Sequence, residues 1–446
     1  MNRERHNMGK CDWEGHKQNM TEGNRAEEPE NVRQKDRRSI IRQAVLALLL
    51  CGVAALVACA PVKEPERKEK TVLRLWHYWD REESRQCLAK LVQKFNDTHQ
   101  DTEIQINYIA DEDFKKRLVL AAADGEQPDL AIVDSSDIQY YDKVGILKDL
   151  SSEMKAENYL SRALISCRTK DGRLVGLPLG LNCLIFYYNK DLLKQAGVGV
   201  PTTLEEFVTA AEAVTSNQVS GCAFPALQSE ESSFCFLPIL WNYGGSLAQI
   251  DSPAGRQAFG FLKQLAENRA LSEDNVNMTI SDIAWEFANG NIAMAFMTSS
   301  YENEIRKENP DLHFATTKLP CGENSITISG GEVLTVTCAE HEKEAREFVR
   351  FMEQPEQTEL YLDSVGYLAA RRDLLKKQIQ TDPAKKAYWS YLKQAKLREI
   401  EPYWPSLSME IAESINRVIL GEDTQDELEQ LSERISRIRR AKYEKE

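Results

Sequence analysis

Histidine is scarce in this chain: six residues among 446, scattered along it. No H-E-x-x-H, Walker or G-x-S-x-G pattern occurs, so the common signatures of zinc proteases, nucleotide hydrolases and serine hydrolases are missing. None of the ten cysteines has C-x-x-C spacing, which argues against a structural zinc site. Basic excess is lacking too. Lys and Arg number 56 against 70 Asp and Glu, a net charge of -14, which excludes the positive footprint of a nucleic-acid binder. No short-period repeat is present, so a solenoid is excluded. After residue 58 no apolar run approaches the roughly 20 residues needed to span a bilayer. Acids are abundant, yet no two stand out as the facing carboxylates of a glycosidase.

What is present begins with a leader. Residues 1–43 are polar, carry both signs of charge and have no apolar period, so they cannot bury a core. The basic stretch "RRSIIRQ", Arg37 to Gln43, precedes an apolar run from Ala44 to Ala58 that ends in small residues. That order describes a secretory signal. Its last four residues, "LVAC", Leu56 to Cys59, resemble the bacterial lipobox, in which the cysteine becomes the first residue of the mature chain and carries lipid. "APVKEPERKEK" follows, charged and holding two prolines, as a solvated linker. The expectation is an N-terminal extension and lipoprotein signal peptide over 1–58, lipidation at Cys59 and a lipid-anchored linker over 59–70. The folded body then starts near Thr71, outside the cytoplasm at the cell membrane. Of the cysteines left, Cys87, Cys167, Cys183, Cys222, Cys235, Cys321 and Cys338 are odd in number and several lie in apolar runs. They read mainly as buried thiols, with at most one disulfide, such as Cys222–Cys235.

In the body, "TVLRLW" is a strand, and "ESRQCLAKLVQKFNDTH" sets Cys87, Leu88, Leu91, Val92 and Phe95 on one helical face. "EIQINYI" alternates, "FKKRLVLAAADG" is a helix stopped by Gly125, and "PDLAIVD" is a buried strand. This β-α-β-α-β order predicts a mostly parallel sheet covered by helices. Further on, "GLPLG" joins two strands, and "PTTLEEF" opens a helix with capping-box spacing from Thr202 and Thr203. "SDIAWEFANGNIAMAFM" reads as a helix capped by Ser281 and then a strand. "ISGGEVLTVT" is a strand entered through paired glycines, and beyond "EKEAREFVRFM" the chain is mostly helical.

Five stretches in this order carry a family resemblance: "LWHYWD", "ADGEQPDLAIVD", "GLPLGLNCLIFYYNKDLLKQAGVGVPTTLEEF", "GNIAMAF", and "ISGGEVLTVTCAEHEKEAREFVRFM" with "GYLAARRDLL". Residues 71–446 resemble the carbohydrate-type extracellular solute-binding proteins of ABC importers, the maltose-binding-protein-like group. The resemblance implies an α/β fold, a two-lobed periplasmic-binding-protein-like (type II) clamp joined by a multi-segment hinge. It implies an N-terminal lobe of 71–178 and 333–368 and a C-terminal lobe of 179–332 and 369–446, with crossings near "GLPLG", "GGEVL" and "GYLAA". It also implies a monomeric, non-enzymatic receptor without cofactor or metal, which captures a carbohydrate, an oligosaccharide by preference, and delivers it to an ABC permease.

Ligands of open α/β sheets sit beyond the carboxyl ends of strands. Sugars offer an apolar face to aromatic rings and hydroxyl edges to carboxylates, amides and Arg. At the end of the first strand Tyr78, Asp80 and Arg81 resemble the family's contact positions, while alternation favours Trp76 over Trp79 as core. Ser135, Ser136 and Asp137 in "VDSSD" suit either ligand contact or a helix N-cap. Asn182 follows the first crossing. In "SSFCFLPILWNYGGSL" the wall aromatics are Phe234, Trp241 and Tyr243, one of them core, with Trp241 the favoured stacking platform; Gly244 and Gly245 permit close backbone approach. "FMTSSYEN" departs from the family's usual Gly or Trp, leaving Ser299 and Tyr301 as substitutes. Gly330 and Gly331 sit at the next crossing, and Tyr403, Trp404 and Glu410 lie at a late helix start. The rival readings are a binding protein for ferric iron, suggested by Tyr140-Tyr141 and Tyr187-Tyr188, for a polyamine or for a peptide, or a sensor partner of a membrane kinase. The lipobox makes its own prediction: the expressed chain fractionates with membranes, and Cys59→Ser releases it to the soluble fraction. A chain that stays membrane-bound after that substitution has another anchor.

Overall fold

The computed structural model describes residues 41–48 and 70–440, apart from 272, 338 and 339. The chain divides into two compact units after Lys68. Before that point, residues 41–48 form a helix with Ile41, Val45, Leu46 and Leu48 exposed. Cys59, the linker and Cys338 lie outside the described residues.

The second unit, Glu69–Glu446, is built on two sheets. The first holds β1 (Thr71–His77), β2 (Thr102–Tyr108), β3 (Leu130–Asp134), β4 (Leu177–Pro178) and β9 (Glu332–Val336), in the order β2-β1-β3-β9-β4. β1 runs parallel to β2, from Thr71 beside Thr102 to His77 beside Tyr108, and parallel to β3. β9 lies antiparallel between β3 and β4, because the chain returns to this sheet only after residue 331. The second sheet centres on β5 (Asn182–Asn189), flanked antiparallel by β6 (Met294–Thr298) and β7 (Phe314–Thr317), with β8 (Ser329–Gly330) against its start. The parallel βαβ pattern thus holds for β1 to β3. β5 pairs antiparallel with both β6 and β7.

Helices cover both sheets for reasons visible in their sequences. In Glu82–Thr98, the residues Cys87, Leu88, Leu91, Val92 and Phe95 are buried on one face, and Glu82 and Glu83 complement the positive helix start. Phe95 then meets Phe348 and Phe351 edge-on at 5.2 and 5.5 Å, which ties in the helix Glu342–Glu353 from far along the chain. Thr203 caps the helix Leu204–Val214 as its spacing predicts. The helix Ile280–Ala288 starts earlier than expected. Its cap is Thr279, in a capping box with Asp282, and Ser281 is left inside the first turn with its hydroxyl uncommitted to capping.

Two further expectations change. Trp79, not Trp76, is the core ring: it is 7% exposed and stacks on Tyr361 at 5.6 Å. The β1 pleat turns Leu73, Leu75 and His77 inward and leaves Trp76 half-buried on the face of Arg74. The Cys222–Cys235 bridge is not formed. Both are buried free thiols; the Cys222 sulfur faces the Ala270 carbonyl at 3.7 Å and the Cys235 sulfur that of Phe296 at 3.9 Å.

The chain passes from one sheet to the other between Pro178 and Asn182, and back between Gly330 and Glu332. The two passages touch. Gly331 has φ of +146°, and a Cβ there would lie 2.4 Å from the Gly180 carbonyl oxygen. A third segment joins them, since Leu181 and Leu368 exchange backbone hydrogen bonds of 2.8 and 2.9 Å. Gly331→Ala is therefore expected to destabilise by roughly 3 kcal/mol, because the strained φ and the backbone clash act together. Gly322→Ala, at φ +80° with open space around it, is expected to lose only about 1 kcal/mol. Denaturant midpoints of the two variants check this; equal losses would contradict the close passage.

Candidate ligand-binding cleft

The carboxyl ends of β1 and β3 and the start of β9 supply one side of a cleft. Tyr78 to Arg81 follow β1, Asp134 to Asp137 end β3, and Glu332 pairs across from Asp134 in the β3–β9 ladder. Facing them are the starts of the helices Glu230–Asn242 and Ile280–Ala288, the turn after β6 that holds Tyr301, and Arg398.

Arg398 is 3% exposed at its side chain and holds Glu230 and Asp134 at 2.7 Å each. Glu230 also accepts the Trp404 indole N–H at 3.1 Å and the Ser408 hydroxyl. The guanidinium carbon lies 5.3 Å from the Phe234 ring. Asp134 further accepts the Ser136 N–H and hydroxyl at 2.7 Å each. Burial opposes its charge, but Arg398 and the Ser136 N–H hold its carboxyl below the usual range. Along the cleft, the Ser281 hydroxyl donates to Asp80 at 3.1 Å and lies 2.8 Å from the Tyr301 hydroxyl. Arg81 spans the same gap: its Nε meets Glu304 at 2.8 Å and its guanidinium stands 4.6 Å from the Tyr301 ring centre. At the rim Lys307 pairs with Glu83 at 2.7 Å, and Lys143 contacts the Tyr403 hydroxyl.

Several acids here are shifted the other way. Burial pushes Glu231 up to about 8, with Asp80, Asp111 and Asp282 adding to it and the Ile280 N–H, at 2.7 Å, opposing it. Burial likewise pushes Glu332 up to about 7. Asp137, 1% exposed, is pushed up to about 7 by burial, against the pull of Lys115 at 3.0 Å. Some acceptors have no partner in the protein: Asn182 Oδ1, Ser229 Oγ, Glu332 Oε2 and Asp137 Oδ1. The other oxygen of Glu332 accepts the Tyr367 hydroxyl at 2.8 Å. No group of three or more His, Cys, Asp or Glu among the described residues is arranged to hold a metal ion.

The structure thus brings together Tyr78, Asp80, Arg81, Ser136, Asp137, Asn182, Phe234, Tyr301, Gly330 and Gly331. Tyr78 packs on Phe114 at 5.3 Å among the charges of Glu332, Asp134 and Asp111. Gly330 leaves room for Asn182 Oδ1 and the Phe234 ring, which would lie 2.6 and 3.0 Å from a Cβ there. Ser135 donates its N–H to the Gly331 carbonyl at 3.1 Å. Capping at this turn is done by Asp134 rather than by Ser135, Ser136 or Asp137.

Other candidates lie elsewhere. Trp241 is two helical turns from Phe234, about 10 Å along the axis, with Lys396 5.4 Å from its ring centre. Gly245 packs against Leu240, whose side chain would lie 2.4 Å from a Cβ there. The Ser299 hydroxyl accepts the Cys183 N–H at 3.4 Å in the sheet. Glu410 pairs with Arg434 of the last helix at 2.7 Å. Tyr187 is buried with its hydroxyl on the Thr298 carbonyl, and Tyr141 is buried in the first sheet's core, so the tyrosine pairs form no joint site. Sequence reasoning passed over Asp134, Glu230, Glu231, Glu332, Tyr367 and Arg398. Only Asp134, at the end of a buried strand, carried a local signal.

A model of the family described as bacterial extracellular solute-binding protein matches residues 90–387. Among curated proteins, the chain is similar to the arabinooligosaccharide-binding protein of Bacillus subtilis, 21% identical over 412 residues, covering 85% of this chain and 89% of the relative. It is also similar to the multiple sugar-binding protein of Streptococcus mutans, 22% identical over 343 residues, with 70% and 78% covered. Among solved structures, an ABC transporter solute-binding protein of Thermotoga lettingae bound with alpha-D-tagatose superposes with a TM-score of 0.77 at 20% identity, covering 83% of this chain and all of that one. The maltose-bound MalE3 of T. maritima gives 0.75 at 20% identity, with 82% and 99% covered. These likenesses establish the two-lobed, type II binding-protein fold.

The acid shifts fix a pH dependence. A carboxyl whose folded value is raised binds its proton more tightly in the native state, so stability falls as pH rises from the unfolded value to the folded one. For Glu231 that window runs from near 4.5 to about 8. It is faced by Asp80 and Asp111 across the cleft, Asp282 on the adjoining helix, Tyr301, and Cys235 on its own helix. The thermal midpoint of the ligand-free protein is expected to rise as pH falls from 8 to 5. Glu231→Gln is expected to flatten that rise; an unchanged profile would place the carboxylate in solvent.

Proposed function

The chain belongs to the bacterial extracellular solute-binding proteins, and from that membership we propose that it captures a carbohydrate in the cleft and presents it to an ABC-type permease. The observation that supports this most directly is a pair of buried acceptors without a protein donor: Asn182 Oδ1, which meets the Phe234 ring at Gly330, and Glu332 Oε2, whose charge reaches Tyr78. Acceptors of that kind call for a ligand rich in hydroxyl donors, and ring faces suit the apolar side of a sugar. The names of the relatives point the same way, toward oligosaccharides. In this reading the two lobes are 71–178 with 333–368, and 179–332 with 369–446. The receptor works as a monomer held to the membrane by lipid on Cys59. It performs no covalent chemistry; ligand favours the closed form by its differential affinity for that form.

A saccharide that binds only the native state raises the unfolding midpoint, by about 2.7 kcal/mol of stabilisation at a hundred times Kd. Thermal unfolding against neutral mono- and oligosaccharides, ferric citrate, polyamines and peptides is expected to show a shift with a saccharide class. Tyr78→Ala is expected to weaken that binding about tenfold, and Trp241→Ala, outside the cluster, by no more than about twofold. A shift confined to ferric citrate or peptide would replace the carbohydrate reading while keeping the clamp.

A further inference from the structure

The two passages between the sheets and the segment that joins them each bring a polar side chain to one spot. Asn182 opens β5, Glu332 opens β9, and Tyr367 follows the helix Pro355–Val365. The Tyr367 hydroxyl links the other two: it donates to Glu332 Oε1 at 2.8 Å and lies within hydrogen-bonding reach of the Asn182 side chain. Each of those neighbours has one acceptor left over. Glu332 Oε2 and Asn182 Oδ1 are withdrawn from solvent and meet no donor among the described residues. Asn182 as a whole is 6% exposed. Strand register sets it beside Gly330, where a Cβ would lie 2.6 Å from Asn182 Oδ1 and 3.0 Å from the Phe234 ring. Gly331, at φ +146°, then turns the chain so that Glu332 pairs opposite Asp134.

A buried acceptor left unmet costs roughly 1–3 kcal/mol, and here two are unmet around one hydroxyl. A carboxylate oxygen and an amide oxygen are satisfied only by donors. Resting on the carbohydrate reading, we propose that Glu332 is a specificity-determining residue of the cleft: one hydroxyl of the bound sugar donates to Glu332 Oε2 and another to Asn182 Oδ1, while Tyr367 is the positioning residue that holds Glu332 toward them. The groups facing Glu332 are Tyr367, Tyr361 on the helix before it, Asp134 on the paired strand, and Tyr78 and Arg81 after β1. Burial above all, with Asp134 adding, raises its carboxyl to about 7, against the Tyr367 hydroxyl and Arg81. Below that pH the ligand-free carboxyl keeps a proton, which sits on Oε2 because Oε1 already accepts from Tyr367. A sugar hydroxyl donating to Oε2 takes the place of that proton, which leaves to solvent. Binding therefore tightens as pH rises through 7.

The test is calorimetric titration of the full chain with maltotriose, cellotriose, raffinose and arabinotriose at pH 6 and pH 8, in buffers of different ionisation heat so that released protons are counted. The saccharide that binds is expected to do so about tenfold more tightly at pH 8, the ratio of ionised Glu332 at the two values. It is expected to release a proton at pH 6 and almost none at pH 8. Glu332→Gln is expected to weaken binding at pH 8 about tenfold and to abolish both the pH ratio and the release. Tyr367→Phe keeps the ring but loses the hydroxyl that favours the carboxylate, so the affinity profile is expected to move to higher pH. Equal affinity at the two pH values, or a ratio that survives Glu332→Gln, would overturn the role of Glu332 and leave carbohydrate capture standing. A profile unmoved by Tyr367→Phe would overturn the positioning role. Binding of none of the four at either pH would overturn the carbohydrate reading as well. The parent protein alone decides the first point, so the inference stays falsifiable should a variant fail to fold.

Discussion

A guanidinium almost fully withdrawn from water, that of Arg398, holds Asp134 at the end of one sheet and Glu230 at the start of a helix on the other side of the cleft. Burying one ion is costly, and burying three is tolerable only if each keeps good partners. Here each does. Glu230 also takes Trp404 and Ser408, and Asp134 takes the Ser136 N–H and hydroxyl. The ion triad therefore fixes how far the strand end, the helix start and the segment around 398 can stand apart. Asp80 on Ser281 and Arg81 on Glu304 follow the same alignment farther along.

That alignment needs a hinge of few degrees of freedom. The passages at Gly180, Gly331 and Leu368 lie side by side, hydrogen-bonded or in backbone contact. With no side chain at residues 180 and 331, two backbones approach more closely than any Cβ allows. Beyond them the sheets are stiff. β3 is buried over four of its five residues, and β5 over seven of its eight. Motion of one side against the other is thus confined to a handful of residues, as closure around a ligand requires.

The cost of gathering acids in the cleft is electrostatic. Glu231 and Glu332, drawn largely out of water, respond by holding their protons more tightly. Stability of the ligand-free state therefore depends on which of these carboxyls keep their protons.

Residue order alone determined the helices and strands, through spacing: the buried face of Glu82–Thr98, the buried run of β3, the cap at Thr203 and the stop at Gly125 are all local signals. Five such stretches in order also sufficed for the two-lobed fold and its family. At the cleft, only residues next to strand ends or glycine crossings were legible, such as Tyr78, Asp80, Arg81 and Asn182. Glu230, Glu332 and Arg398 were not, because the partners of Arg398 lie 264 and 168 positions away in sequence. Trp241 and Glu410 looked equally fit in sequence, but the first lies two turns farther along the helix from Phe234 and the second pairs with Arg434. Composition can announce a surplus of acid. Which carboxylates lose their water and face each other is decided only when distant segments pack, since desolvation is a property of position and not of residue type.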